Sequence, residues 1–311
     1  ALAAPYARIW RTACTGEESS FVRQKAGGKQ RIIELSGSDA PLRFSAFGIR
    51  RTALRQPEIY ARTALIHQIS SLLPAVLTGN VHIPLDWGNA CGTSLMDYRE
   101  KRWSGELVSS AAEGLPGGGG GLLDRLPALG SALSLAGPLV RHFVERWGFS
   151  QDCLVGVGSG DNPQSKVLVQ GSLLSLGSSF VIMVETGGAT FDSRGYANAM
   201  YDGLDRPFSF GCRTNGALRW DRVRALHGIE KKDYTRAEAF LAETPCGNRG
   251  RLFLWQAENE SFPVSGKLEP LRLGYDTPGP AADYAGIVES SLAAVYAHSR
   301  HFTTPGDRLF V

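Results

Sequence analysis

At 311 residues and 43% hydrophobic content, the chain is longer than one hydrophobic core comfortably fills, so two domains are expected. Thirty-three basic residues against thirty acidic ones leave a net charge of +3, too small and dispersed for a nucleic-acid footprint, and no apolar run approaches the roughly 18 residues that cross a bilayer; neither nucleic acid nor membrane is an expected partner. Five widely spaced cysteines, Cys14, Cys91, Cys153, Cys212 and Cys246, are odd in number and without CxxC, which argues against a disulfide framework or zinc site and fits a reducing cytoplasm.

The sequence opens ALAAPYARIW without an initiator Met or signal-peptide order, and ends RLFV, which reads as a strand entering a core; a fragment is expected. Residues 57–79 place Leu65, Ile69, Leu72 and Val76 at helical spacing, interrupted late by Pro74, and predict one core-facing helix ending in Thr-Gly. A strand-like start and a polar loop at 86–93 follow, of the kind that lines a cleft. Pro116 and the five glycines after it lack both the Lys-Ser/Thr of a Walker loop and the preceding strand of a dinucleotide-binding turn, so they predict a surface loop. Residues 137–149 predict an amphipathic helix with Leu139, Val140, Phe143, Val144 and Trp147 inward and Gly148 as its stop.

CLVGVG (153–158) reads as a buried strand running into a turn that carries Asp161. The β-rich runs 166–171 and 180–186 flank Gly177-Ser178-Ser179, which predicts a hairpin. A glycine turn at 214–217 opens a helix to residue 226, and 286–302 forms another amphipathic helix. Neither internal repeats nor heptads occur, and the six histidines show no metal-ligand spacing.

The chemistry concentrates at 155–180. Gly177-Ser178-Ser179 offers backbone N–H groups and hydroxyls suited to phosphate oxygens, and Asp161 on the neighbouring turn suits a general base for a substrate hydroxyl. By residue type alone, Gly-Asp-Asn is also a common structural turn.

In their order, these pieces resemble the FGGY carbohydrate kinases, and within them the xylulokinases. An Arg-Phe pair at 43–44 precedes a helix; Pro57-Glu58-Ile59-Tyr60 opens the segment ending Leu77-Thr78-Gly79; the block from Asp86 to Trp103 is similar to the family's Asp-x-x-x-Ala-x-Gly-x-x-Leu-x-Asp pattern. SGDNP (159–163) resembles the motif that carries the catalytic base, SLGSS (175–179) the phosphate turn with Ser178 in place of Thr, TNGALRW (214–220) the helix opening beside the nucleotide, and ESFP (260–263) a C-terminal-lobe motif.

The resemblance implies an α/β fold, the actin-like ATPase (ribonuclease H-like) two-lobed sugar kinase fold, with 1–172 part of a sugar-binding lobe and 173–311 part of a nucleotide-binding lobe. It implies transfer of the γ-phosphate of ATP to a ketose such as xylulose, with Mg²⁺ on the phosphates. Asp161 would be the catalytic base; Arg43, Asp86 and Asn162 would bind sugar; Gly177, Ser178, Ser179 and Gly216 would meet the nucleotide. For Arg43 a surface ion pair, and for Asp86 a turn-capping role, are the alternatives; Glu260 and Glu289 are expected to serve structure. The small-molecule sugar is the expected partner, with a possible homodimer.

Two departures stand out. Residues 10–14 lack the family's Trp-x-Asp-x-Arg sugar-contact pattern, and neither its Asp-x-Gly-Thr phosphate loop nor its C-terminal Gly-Gly adenine motif occurs, so one half of an ATP site is expected within these residues. A non-catalytic, degenerate sugar-kinase-like sensor is the alternative function.

Overall fold

The computed structural model describes residues 2–4, 6–9, 14–188, 190–303 and 308–311; the Trp10 to Ala13 part of the sugar-contact comparison lies outside them. The chain divides into two compact units. The first comprises Ala1–Gln170 and Glu185–Ser209, the second Gly171–Val184 and Phe210–Val311.

The first unit is mainly helical. Its helix Gly16–Lys25 begins with Glu17 and Glu18 and ends with Arg23 and Lys25, charges that complement the helix dipole. Helices Lys29–Ser36, Ser45–Arg55 and Gly105–Ala112 gather around a core that includes Val22, Ile32, Phe47, Leu95 and Leu107. Ser104 caps the last of these by accepting the Leu107 N–H at 3.3 Å. A second core joins Leu85, Ala90, Cys91, Met96 and Tyr98 to Ala199 and Tyr201, and the rings of Tyr98 and Tyr201 stack at 4.7 Å.

Three expectations are corrected here. The stretch 57–79 is two helices, Pro57–Arg62 and Ile69–Thr78, because the Ile66 N–H leaves the helical ladder to bond the Arg125 carbonyl at 2.8 Å. Its buried side is Ser71, Pro74 and Ala75, whereas Ile69 is 67% exposed, so the apolar stripe faces outward. The glycine run is not a loop: Gly118–Leu123 is a short helix held against Gly105–Ala112, with Leu122 buried. The helix in 137–149 starts only at Arg141, and Trp147 lies exposed while Leu139 alone of the expected inward set is fully buried. Gly148 ends it at φ 72°, as expected.

Strand Leu154–Gly156 is only half-buried and pairs antiparallel with Leu135–Pro138. In the second unit, Ser172–Leu176 and Phe180–Glu185 form the expected hairpin, Leu176 opposite Phe180, which leaves Gly177, Ser178 and Ser179 as its three-residue loop. The run 166–171, read as the β-rich strand before the turn, contains no strand: Lys166 and Val167 close the preceding helix Asp161–Val167, and the first strand of the hairpin starts only at Ser172. Leu309–Phe310 pairs parallel with Ser172 and Leu173. Helices Leu218–Leu226, Tyr234–Glu243 and Pro280–Ser299 pack with strand Leu252–Gln256 around Val223, Phe253, Tyr284 and Ile287.

Candidate functional site

In the first unit a buried carboxylate organises the sugar-side residues. Asp86 is 1% exposed and caps helix Trp87–Cys91. The Asn89 N–H donates to its Oδ2 at 3.0 Å, the Asn89 Nδ2 to its Oδ1 at 2.7 Å, and the Ser159 hydroxyl to Oδ2. Burial pushes the Asp86 carboxyl above the usual carboxylate range, and the donors from Ser159 and Asn89 hold it partly down. Both oxygens are thus occupied within the chain, and the capping role read from the sequence is present in the structure.

That anchorage sets the backbone before Asp161. Gly160 lies so close to Asn89 that a Cβ there would meet its Oδ1 at 2.8 Å, which only glycine avoids. Asp161 then opens its helix with an exposed carboxylate. The Asn162 N–H donates to Oδ1 at 2.8 Å and the Asn162 amide reaches the same atom at 3.2 Å; among the described residues nothing donates to Oδ2. That oxygen faces solvent chemistry without a resident cation, as a base for an incoming hydroxyl requires. Below it, the fully buried Lys166 sends Nζ to the Val169 carbonyl at 3.3 Å and to Glu185 Oε2 at 3.4 Å.

Arg43 lies exposed in the turn at 42–44, and among the described residues it forms no ion pair, so the surface salt bridge considered for it is not seen. The helix after it docks on the end of the Asp86 loop: the Ser45 N–H donates to the Gly92 carbonyl at 3.3 Å and the Ala46 N–H to the Thr93 carbonyl at 2.9 Å. Gln68 Nε2 ties the two segments by donating to Ser45 Oγ at 3.2 Å and the Asn89 carbonyl at 3.4 Å. Ser45, Gln68, Asn89, Asp86 and Ser159 thus form one connected set of hydrogen bonds, with Arg43 two residues before Ser45 and Asp161 two residues after Ser159 in the chain. Sequence reasoning missed Asn89, Ser159 and Gln68; the spacing of Asp86 and Asn89, a helix cap and its N3 residue, was the available signal. It also missed Lys101, whose Nζ sits 4.2 Å from the ring centres of both Trp87 and Tyr201.

The second unit assembles the phosphate-type residues by themselves. The Ala217 N–H donates to the Gly177 carbonyl at 3.0 Å, and a Cβ on Gly216 would come within 2.8 Å of the Ser178 carbonyl oxygen and the Phe180 nitrogen. The two segments 175–179 and 214–220, 35 or more residues apart, therefore meet backbone to backbone. Buried Glu260 fixes the second one: its Oε1 accepts from the N–H groups of Thr214 at 2.5 Å and Ser261 at 2.8 Å, its Oε2 from Asn215 N at 3.0 Å and Asn215 Nδ2 at 2.9 Å. Glu289 accepts the Gly247 N–H at 2.8 Å, so both glutamates hold structure.

Among the described residues no three His, Cys, Asp or Glu side chains converge on a metal position. Nor is any helix long and apolar enough to cross a membrane.

No family model matches the chain. It is 29% identical over 346 aligned residues to a probable D-xylulose kinase A of Aspergillus fumigatus, covering 98% of this chain and 58% of that protein. It superposes on a ligand-bound xylulose kinase from Lactobacillus acidophilus with a TM-score of 0.81 at 16% identity, over 95% of this chain and 60% of that one, and on a gluconate kinase from the same organism with a TM-score of 0.82 at 15% identity over the same shares. The fold is therefore that of the actin-like ATPase class of sugar kinases. In sequence the chain is similar to proteins named as xylulose kinases, and it spans a little under three-fifths of the length of the relative just described.

Proposed function

We propose that this protein is an ATP-dependent carbohydrate kinase that transfers the γ-phosphate to a hydroxyl of a ketose such as xylulose. The observation that carries the proposal is the exposed, cation-free Asp161 carboxylate, two residues after the Ser159 that bonds Asp86, in a chain matched along 98% of its length by a probable D-xylulose kinase.

In this reading the residues up to 172 provide the sugar side and those from 173 the nucleotide side. Asp161 accepts the proton of the sugar hydroxyl through Oδ2 while the Asn162 N–H holds Oδ1 in place. The Asn162 amide and the unpaired Arg43 guanidinium supply donors to sugar oxygens, and Asp86 contributes by holding Asn89 and Ser159 around that surface. The Gly177-Ser178-Ser179 loop presents hydroxyls and main chain to phosphates, with Gly216 permitting its close packing. Positioning and charge stabilisation supply most of the rate in such transfers. Mg²⁺ would come with the ATP phosphates and, when bound, would supply charge neutralisation on the transferring group. The cytoplasm is the compartment that suits five cysteines without CxxC or disulfide-framework spacing and this chemistry.

A panel of pentuloses, hexuloses and polyols, each with ATP and the full-length protein, tests the proposal through acceptor-dependent ADP release. A ketose giving the highest kcat/KM supports it, and no acceptor-dependent ADP with any member overturns it.

A further inference from the structure

Behind the 214–216 turn the second unit contains a cavity of about 110 Å³. Its walls are apolar in Leu254, Trp255, Leu268 and Ile287, but two guanidiniums, Arg213 and Arg219, also line it. None of Gly177, Ser178, Ser179 or Gly216 lines it, although Asn215 and Arg219 belong to the same 214–220 segment as Gly216.

Arg219 is the unusual member. It is 3% exposed, and its Nε and one terminal nitrogen are buried without a hydrogen-bond partner. Arg213, also buried, has a lone Nε in the same condition, while its terminal nitrogen lies 3.8 Å from Glu260. Burial lowers the affinity of Arg219 for its proton, and the charge of Arg222 adds to this; the field of exposed Glu258 opposes both, yet no ion pair joins Glu258 to Arg219. An arginine stays charged at any physiological pH, so it cannot escape the cost of burial by neutralising.

Of the other polar residues of the wall, Gln256 accepts from Ser265 Oγ through Oε1 at 3.1 Å, and Ser290, Ser291 and Asn215 are also engaged. Ser290 Oγ donates to the Phe253 carbonyl at 2.7 Å, Ser291 Oγ to the Ile287 carbonyl at 2.6 Å, and Asn215 Nδ2 to Glu258 O and Glu260. The face of Trp255, 5.8 Å from the guanidinium, gives Arg219 only a weak partner. What the cavity offers is unmet N–H donors on positive charge, framed by apolar and aromatic side chains, and what complements that is an anion.

We propose that this cavity is a binding site for a small oxyanion, a carboxylate or a phosphate on a compact body, held by Arg219 with Arg213 beside it. Charge-assisted hydrogen bonds from guanidinium to oxyanion are the strong kind and fit either group.

Thermal melts and Trp255 fluorescence of the 311-residue chain are measured against inorganic phosphate and, separately, propionate, with sodium chloride holding the ionic strength constant. The expected result is stabilisation and a fluorescence change with at least one of the two anions beyond chloride. Which one is stronger assigns the ligand class. Arg219→Met should weaken the binding about tenfold or more, whereas Ser178→Ala, which alters the proposed nucleotide turn alone, should leave it intact. Should Arg219→Met not fold, the loss of the fluorescence change in Trp255→Phe places the anion in this cavity. The proposal is overturned by equal effects of chloride and the two oxyanions, by binding that survives Arg219→Met, or by binding that Ser178→Ala removes instead.

Discussion

Gly216 packs its Cα against the backbone of Ser178 so tightly that one added carbon would stand 2.8 Å from the Ser178 carbonyl oxygen. The contact is main chain on main chain, so neither side can turn a side chain away. Gly216→Ala should therefore shift the hairpin loop and destabilise the protein by about 1–3 kcal/mol. Denaturant unfolding checks the stability, and ATP binding should weaken while sugar binding does not.

Glu260 acts on the same turn from the other side. Its removal in Glu260→Ala orphans the buried N–H of Asn215, frees the Thr214 N–H and leaves the buried Arg213 guanidinium without a carboxylate. A cost of about 3–5 kcal/mol is expected, as for other broken buried pairs. A midpoint in chemical denaturation within experimental error of the unaltered protein would remove Glu260 from this role.

Much of this architecture was legible beforehand where the local signal and the tertiary demand agree. The hairpin turn at Gly177 and its second strand were legible from the glycine turn and the run 180–186, while the first strand lies at Ser172–Leu176 and not in the run 166–171; Gly148 ends its helix where a left-handed residue is needed. The failures have a common cause in long-range contacts. Ile66 leaves the helix ladder for Arg125, 59 residues on, which splits a segment whose periodicity reads as continuous. The stripe Ile69 and Val76 is apolar yet faces outward, since burial on Ile69–Thr78 falls on Ser71, Pro74 and Ala75. The glycine run forms a helix because Leu122 reaches the core and Gly105–Ala112 supports it, neither visible in the run itself. At the candidate site, motif order pointed to Asp161, but the bonds from Ser159 and Asn89 to Asp86, which join residues up to 73 apart in the chain, were not legible.

Asp86 gives a pH signature. Burial raises its carboxyl in the folded protein above the unfolded value, so the folded state holds this proton more tightly. Stability from this group is then fully present below the unfolded value of about 3.9 and falls as pH rises through the raised folded value. Asp86→Asn keeps an N-cap and removes the titration. The stability of the unaltered protein relative to this variant should decline with rising pH from about 4 upward; a difference that is flat in pH across this range would contradict the burial argument.

Arg43 separates sugar from nucleotide. Exposed and unpaired, it contributes nothing to the core, so Arg43→Ala should leave the melting temperature essentially unchanged. In the full-length protein the same variant should raise the sugar KM much more than the ATP KM. Equal effects on both would take Arg43 out of the sugar site.

The most direct test is turnover of the full-length Asp161→Ala protein with ATP and xylulose, alongside calorimetric sugar binding. The account predicts kcat lower by about 10² to 10⁴, the usual worth of a general base, with the fold intact and sugar affinity retained. Near-normal turnover by that variant would contradict it.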